Sequence, residues 1–174
     1  LDKEYFLDRN THHLPHELFR NILSHSLRMK NFTWAHEFIE TYSFRVHPSD
    51  KENMYNYGYA YLMHELGKYV DALGYLQKVE KEYFVYKIDV KNLLLKIYYE
   101  LGNTEEALLL LKTHILSLRK NRLIEPERKK RYINYSKFLE KLVYHKAGTL
   151  RQDIGYVKHR LIKNEDVAFK PWLL

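Results

Sequence analysis

The chain has 174 residues, of which 45% are hydrophobic and 29% are charged, and its formal net charge is +7. This length and apolar content are typical of a single globular domain with its own core, which excludes general disorder. The absence of cysteine excludes disulfide scaffolds, thiolate zinc sites and cysteine nucleophiles, and it fits a reducing compartment such as the cytoplasm.

No segment of the sequence is predicted to enter a membrane. The longest aliphatic run, residues 107–111, is far shorter than the roughly 20 residues that a membrane span needs. Nothing resembles a cleavable signal. Because the chain starts at Leu1 rather than Met, it fits a segment excised from a longer protein.

Apolar residues recur at helical spacing along most of the chain, which predicts an all-α protein of about eight to nine helices. The only alternation of period two, the tyrosines within residues 55–61, is also interpreted as helix, because Asn56, Gly58 and Ala60 between them are weak strand formers. Breaks between helices are predicted near Pro15, residues 47–50, Gly67, residues 86–89, Gly102, residues 121–126, Gly148 and Asn164.

One segment of the chain occurs twice. The run Glu-Leu-Gly, four residues, Ala-Leu begins at Glu65 and again at Glu100, an offset of 35 residues. A third, weaker copy lies 37 residues before the first, with Lys30 in place of the turn glycine and with Phe32, Ala35 and Ile39 following it. Internal repetition at this period predicts a helical array.

The repeated residues have a clear physical role. Gly67 and Gly102 fall where a helix must stop and where the backbone can use the left-handed conformation, which glycine adopts without steric cost. Ala72 and Ala107 then lie in the first turn of the next helix, where a methyl side chain allows two helices to approach closely. One such hairpin cannot bury both apolar stripes, so neighbouring hairpins are expected to stack.

These residues resemble the tetratricopeptide repeat (TPR) family. The second repeat matches best, with Tyr59, Ala60 and Met63 before the turn and Gly67, Tyr69, Ala72 and Leu76 after it. The third repeat has Leu94, Leu95, Tyr98, Gly102, Ala107 and Leu111. The resemblance covers roughly residues 15–118. It implies one domain, residues 1–174, built as a right-handed solenoid of antiparallel helix pairs, with repeats at about 16–49, 53–87 and 88–121. Divergent capping helices at about 126–146 and 149–163, and an apolar tail at 164–174, follow.

The resemblance also implies a partner-binding concave face formed by the first helix of each pair. Tyrosine suits a peptide groove because it combines large contact area with a hydroxyl group. Packing between helices is the alternative role for these rings. The side chains placed on this face are Arg20, Ser24, Tyr57, Tyr61, His64, Asn92, Lys96 and Tyr99.

Some TPR modules clamp the terminal carboxylate of a chaperone with amides and cations on their inner faces. Here Ser24, Gly58, Asp89 and Leu93 occupy places where that clamp needs amides or cations, and only Arg20 is a tolerable match. An acidic chaperone tail is therefore not the expected ligand, and recognition of another peptide stays open.

A basic segment, residues 119–131, contains seven cations and only two acids, Glu125 and Glu127. It predicts either a contact with phosphate or an acidic protein, or simply a solvated loop and first helical turn. The second interpretation is favoured because no aromatic platform interleaves with the cations, as single-strand binding requires. The cations are Arg119, Lys120, Arg122, Arg128, Lys129, Lys130 and Arg131.

No catalytic, metal or cofactor site is predicted. His12, His13 and His16 form the only histidine cluster, but Pro15 interrupts the one pair with ligand-like spacing. Phosphate-binding glycine loops and nucleophile elbows are missing, and Glu105 and Glu106 are explained by the positive end of a helix.

The sequence thus predicts a non-catalytic scaffold that binds another protein, with a nucleic-acid-binding helical repeat as the alternative. Self-association through the apolar tail is a third possibility, and the same tail could instead seal the last helix pair. Its apolar residues are Val167, Phe169, Trp172, Leu173 and Leu174.

Overall fold

In the computed structural model, residues 13–80 and 84–174 are described, with side chains for 13–80 and 87–174. These ranges contain no strand, and their nine α-helices confirm the predicted all-α class and helix number. None of these helices is long and apolar enough to cross a membrane. The helices are α1 (His16–Arg28), α2 (Phe32–Tyr42), α3 (Lys51–Glu65), α4 (Tyr69–Gln77), α5 (Phe84–Leu101), α6 (Thr104–Lys120), α7 (Pro126–Lys146), α8 (Ile154–Lys163) and α9 (Lys170–Leu173). Single 3₁₀ turns, Ser43–Arg45 and Pro48–Asp50, connect α2 to α3.

The chain divides into two compact units, Leu1–Ile97 and Tyr98–Leu174. In the first unit α1 contacts α2, α3 contacts α4, and α3 also contacts α1 and α2. The rings of Phe19 and Phe38 lie 4.9 Å apart between α1 and α2. A Cβ added at Gly58 would lie only 2.9 Å from Ile39 Cγ1. The glycine in the tyrosine-rich helix therefore allows α3 to approach α2 closely.

The second unit is centred on α7, which contacts α6, α8 and α9. Its apolar core is formed by buried side chains from all of these helices. They include Leu111, Leu118, Tyr135, Leu139, Val143, Val157, Leu161 and Leu173.

Four helices, α1, α3, α5 and α7, end in the same turn. In each turn one residue has a left-handed φ, and its N–H donates to the carbonyl three residues back. The next N–H donates to the carbonyl five residues back, which completes a Schellman cap. The left-handed residues are Lys30 (φ 56°), Gly67 (72°), Gly102 (76°) and Gly148 (69°).

The first three turns share a further feature on their C-terminal side. Ala35, Ala72 and Ala107 each follow the left-handed residue by five positions, and all three are fully buried. The N–H of each donates to the carbonyl four residues earlier, at 2.9 to 3.0 Å. The copies found in the sequence therefore have one local geometry, including the copy that has lysine instead of glycine.

Two predicted boundaries are wrong. A break was expected near 86–89, but α5 already runs from Phe84. Asp89 lies inside this helix, where it pairs with Arg20. A helix was expected from Thr149, but α8 begins at Ile154. The reason is a cap: the carboxylate of Asp153 accepts the N–H of Tyr156 at 2.7 Å.

Candidate functional site

Side chains of α1, α3 and α5 meet at Asp89. Arg20 Nη1 donates to Asp89 Oδ2 at 3.0 Å, and the hydroxyl of Tyr57 donates to the same oxygen at 3.5 Å. The hydroxyl of Tyr61 donates to the Asp89 backbone carbonyl at 3.3 Å. We call these four residues the Asp89 cluster. Because its members come from three helices, the cluster fixes the relative placement of the helices that the sequence assigned to one face.

The two tyrosines of the Asp89 cluster differ in exposure. Their rings lie 4.8 Å apart, one helical turn from each other on α3. Tyr57 is only 3% exposed, and Tyr61 is half-buried. Burial, with smaller contributions from Tyr61 and Asp89, raises the pKa of the Tyr57 phenol well above its ordinary value. Tyr57 therefore acts as an interior hydrogen-bond donor, whereas Tyr61 reaches the surface.

A second polar group lies at the C-terminal end of α3. His64 Nδ1 is 3.2 Å from Glu65 Oε1. This hydrogen bond, helped by the positive charges of Lys96 and Lys30, lowers the pKa of the Glu65 carboxyl below its ordinary value. Glu65 thus interacts mainly with His64 and lies in the field of Lys96 within the first unit.

The structure corrects part of the predicted partner-binding face. Tyr57, His64 and Asn92 are 3%, 6% and 1% exposed, so they lie in the interior. For Tyr57, the alternative role of packing between helices therefore applies. Arg20, Tyr61 and Lys96 are half-buried and remain accessible, and Ser24 is exposed. Tyr99 belongs to the second unit, where its ring lies 5.6 Å from that of Trp172 and under Lys146 Nζ.

The cations of the basic segment do not share one environment. Arg119, Lys120 and Arg122 are exposed, whereas Lys130 forms an ion pair with Asp166. Arg128 donates to the hydroxyl of Tyr132 through Nε and Nη2, at 3.2 and 3.1 Å, and lies over its ring. A depression of about 450 Å³ is lined by Glu125, Glu127, Arg128, Arg131, Tyr132, Ala168 and Phe169. Lys129 is half-buried.

The roles of two residues in these sites were not predicted from the sequence. Tyr132 places an aromatic ring beside the basic segment, and its spacing of four residues from Arg128 on one helix is the signal that could have revealed it. Asp89 left no comparable signal, because its partner Arg20 is 69 residues away in the sequence.

The apolar tail lies on its own unit. Val167 and Leu173 are buried, and the rings of Phe169 and Trp172 lie 5.1 and 6.4 Å from that of Tyr135. The N–H of Ala168 donates to the carbonyl of Arg131 at 3.1 Å. Most of the tail therefore seals the last helices, which is the second of the two roles considered for it.

The histidines near the start of the described chain take part in separate contacts. His16 Nε2 lies 2.9 Å from Asp50 Oδ2, and the ring of His13 contacts that of His47 at 5.4 Å. His12 lies outside the described residues. Across ranges 13–80 and 84–174, no group of three or more His, Asp or Glu side chains has the geometry of a metal site.

Comparison of the chain with protein-family models, with curated proteins and with solved structures gives no match.

Proposed function

We propose that this protein is a non-catalytic scaffold whose first unit binds a segment of another protein, with helices arranged as TPR-like antiparallel pairs. The observation that carries the proposal is the Asp89 cluster. It brings α1, α3 and α5 together and leaves polar and aromatic groups of these helices accessible. In a TPR-like arrangement, these helices would form the concave face.

The charges of this surface favour a particular class of ligand. Arg20 is paired with Asp89, and Glu65 lies in the field of Lys96, so the cations are locally balanced by acids. A strongly acidic tail would gain little from such a surface and would meet Glu65. The favoured ligand is a largely uncharged peptide segment whose backbone and apolar side chains contact Tyr61.

Selection from a random peptide display library tests the proposal. Peptides enriched on the wild-type chain would be synthesised and their affinities measured by fluorescence anisotropy. Truncation of a central aromatic contact costs at least about 1.4 kcal/mol, so Tyr61→Ala is expected to weaken binding by about tenfold or more. Lys96→Ala should weaken it to a smaller degree, because that side chain is half-buried and its charge is partly offset by Glu65.

The matched control is Tyr156→Ala. Tyr156 is an exposed tyrosine of α8 in the second unit, so its removal should leave peptide affinity unchanged. A library that yields no binder, or binders with equal affinity for Tyr61→Ala and for Tyr156→Ala, would contradict the proposed surface.

Nucleic-acid binding is the second candidate, and the exposure of Arg119, Lys120 and Arg122 favours it. Lys130 is neutralised by Asp166, and Glu125 and Glu127 line the depression beside Arg128, which weakens the case. A nucleic-acid complex would lose about 0.7 to 0.9 log units of affinity per log unit of salt for each phosphate contact. No binding to RNA or DNA at low salt would remove this candidate.

A further inference from the structure

The outward face of α6 carries apolar side chains that stay exposed within the part of the chain that the structure describes. Leu109 is 68% exposed and Leu116 is 47% exposed. They are seven residues apart, two helical turns, so they lie on the same side of the helix. The opposite side is the one that packs in the core: Ala107, Leu111, His114 and Leu118 are all buried. The exposed leucines are therefore not among the side chains through which α6 packs into the core.

Charged residues at the two ends of α6 are also exposed. The first turn carries Glu105 and Glu106, and the last turn carries Arg119 and Lys120. Within the part of the chain that the structure describes, none of these four side chains forms an ion pair or a hydrogen bond. The acids at the N-terminal end and the cations at the C-terminal end interact favourably with the helix dipole, but this interaction is weak at exposed positions.

The outward face of α6 is self-complementary. The point midway between Lys112 and Thr113, which are both exposed, is its centre. Each acid in the N-terminal half has a base at the same distance from this point in the C-terminal half, and the two leucines are equidistant from it as well. The matching pairs are Glu105 with Lys120, Glu106 with Arg119, and Leu109 with Leu116.

We propose that a second copy of this chain docks on this face, with the two α6 helices antiparallel around a twofold axis beside residues 112 and 113. In such an isologous contact, residue i of one copy meets residue j of the other, and j meets i. Leucine then packs against leucine, and every acid meets a base at both ends of the interface.

Charge distinguishes this occupant from others. An acidic helix or a nucleic acid would be attracted by Arg119 and Lys120 but repelled by Glu105 and Glu106 on the same face. A second copy satisfies both ends. The inference concerns α6 of the second unit and is independent of the peptide-binding surface proposed for the first.

One helix from each copy gives an interface below the usual size for tight complexes. A weak, reversible dimer is therefore expected. Sedimentation equilibrium of the wild-type chain, from tens of micromolar to about millimolar concentration, should show a reversible monomer–dimer equilibrium.

Charge reversal tests the pairing. Two variants are needed: Glu105→Lys with Glu106→Lys, and Arg119→Glu with Lys120→Glu. Alone, each should dimerise at least about tenfold more weakly, because like charges then meet at four places across the twofold axis. Mixed in equal amounts, the two variants should associate with each other about as well as the wild type does, since opposite charges meet again.

The control variant is Lys158→Glu with Lys163→Glu, which changes the net charge as much as the Arg119 and Lys120 pair does, but on α8. Its dimerisation should match the wild type, and circular dichroism should show that all variants stay folded. The proposal is overturned if the wild type remains a monomer to about millimolar concentration, if either double variant dimerises normally by itself, or if the mixture fails to recover association.

Discussion

Substitutions in the left-handed turns that end α1 and α3 are expected to change the free energy of unfolding in opposite directions, depending on the position. Gly67 has φ 72° and Lys30 has φ 56°, in turns with the same pair of hydrogen bonds. A Cβ added at Gly67 meets nothing within 4 Å, so Gly67→Ala costs only backbone strain. That strain is about 1 to 2 kcal/mol, and the lower entropy of the unfolded alanine chain returns about 0.4 to 1 kcal/mol. Gly67→Ala should therefore destabilise the protein by about 1 kcal/mol.

Lys30 is the opposite case, because a residue with a side chain already occupies the strained left-handed conformation there. Lys30→Gly removes the strain and adds the entropy cost of glycine, and it should stabilise the protein by about 0.5 kcal/mol. Gly102, with φ 76° and open space around its Cβ position, should behave like Gly67.

Gly74 provides the matched control. It lies inside α4 without a left-handed φ, and a Cβ there also meets nothing within 4 Å. Gly74→Ala should therefore stabilise the protein by up to about 1 kcal/mol through helix propensity. Urea unfolding followed by circular dichroism measures all of these changes. If Gly67→Ala and Gly74→Ala shift the unfolding free energy in the same direction, the shared turn geometry is refuted.

Four further outcomes are expected. Tyr57→Ala should lower the unfolding free energy by about 3 kcal/mol in urea, because the ring is buried; a loss under 1 kcal/mol would place it at the surface. Ala72→Leu should cost about 1 to 3 kcal/mol by overpacking the α3 and α4 hairpin, and an unchanged midpoint would contradict their close approach. Deleting residues 165–174 should lower stability without changing the association state in sedimentation, whereas loss of a dimer would point to the tail. Burial raises the phenol pKa values of Tyr57, Tyr59 and Tyr135. The stability that these neutral phenols contribute is therefore present below pH 10 and is lost as pH rises above 10.0, where unfolded tyrosine ionises. An ultraviolet titration should show these tyrosines ionising only on unfolding.

Local signals in the sequence were sufficient for much of the fold. The bounds of α7 were predicted correctly because Pro126 stands at its first turn and Gly148 follows its last. Glycine likewise marked the turns at 67 and 102. Lysine is not typical of a left-handed φ, so at Lys30 the alignment of the copies was the only indication of a turn.

Contacts between distant residues could not be predicted. The spacing of Tyr57 and Tyr61 shows that they share a side of α3, but which ring is buried depends on Arg20 and Asp89 in other helices. The pairing of Asp89 with Arg20 joins positions 69 residues apart, which no local pattern in the sequence reveals. Periodicity therefore identified the three helices of the Asp89 cluster, and the accessible part of that surface required coordinates.

The site at which a bound peptide contacts the chain is the most direct test of the proposed function. Backbone amide resonances of the ¹⁵N-labelled protein, recorded during titration with a peptide from the display library, locate that contact. The proposal predicts that the largest shifts occur around Arg20, Tyr61 and Lys96, on α1, α3 and α5. Shifts confined to α8 or to the basic segment at 119–131 would contradict it.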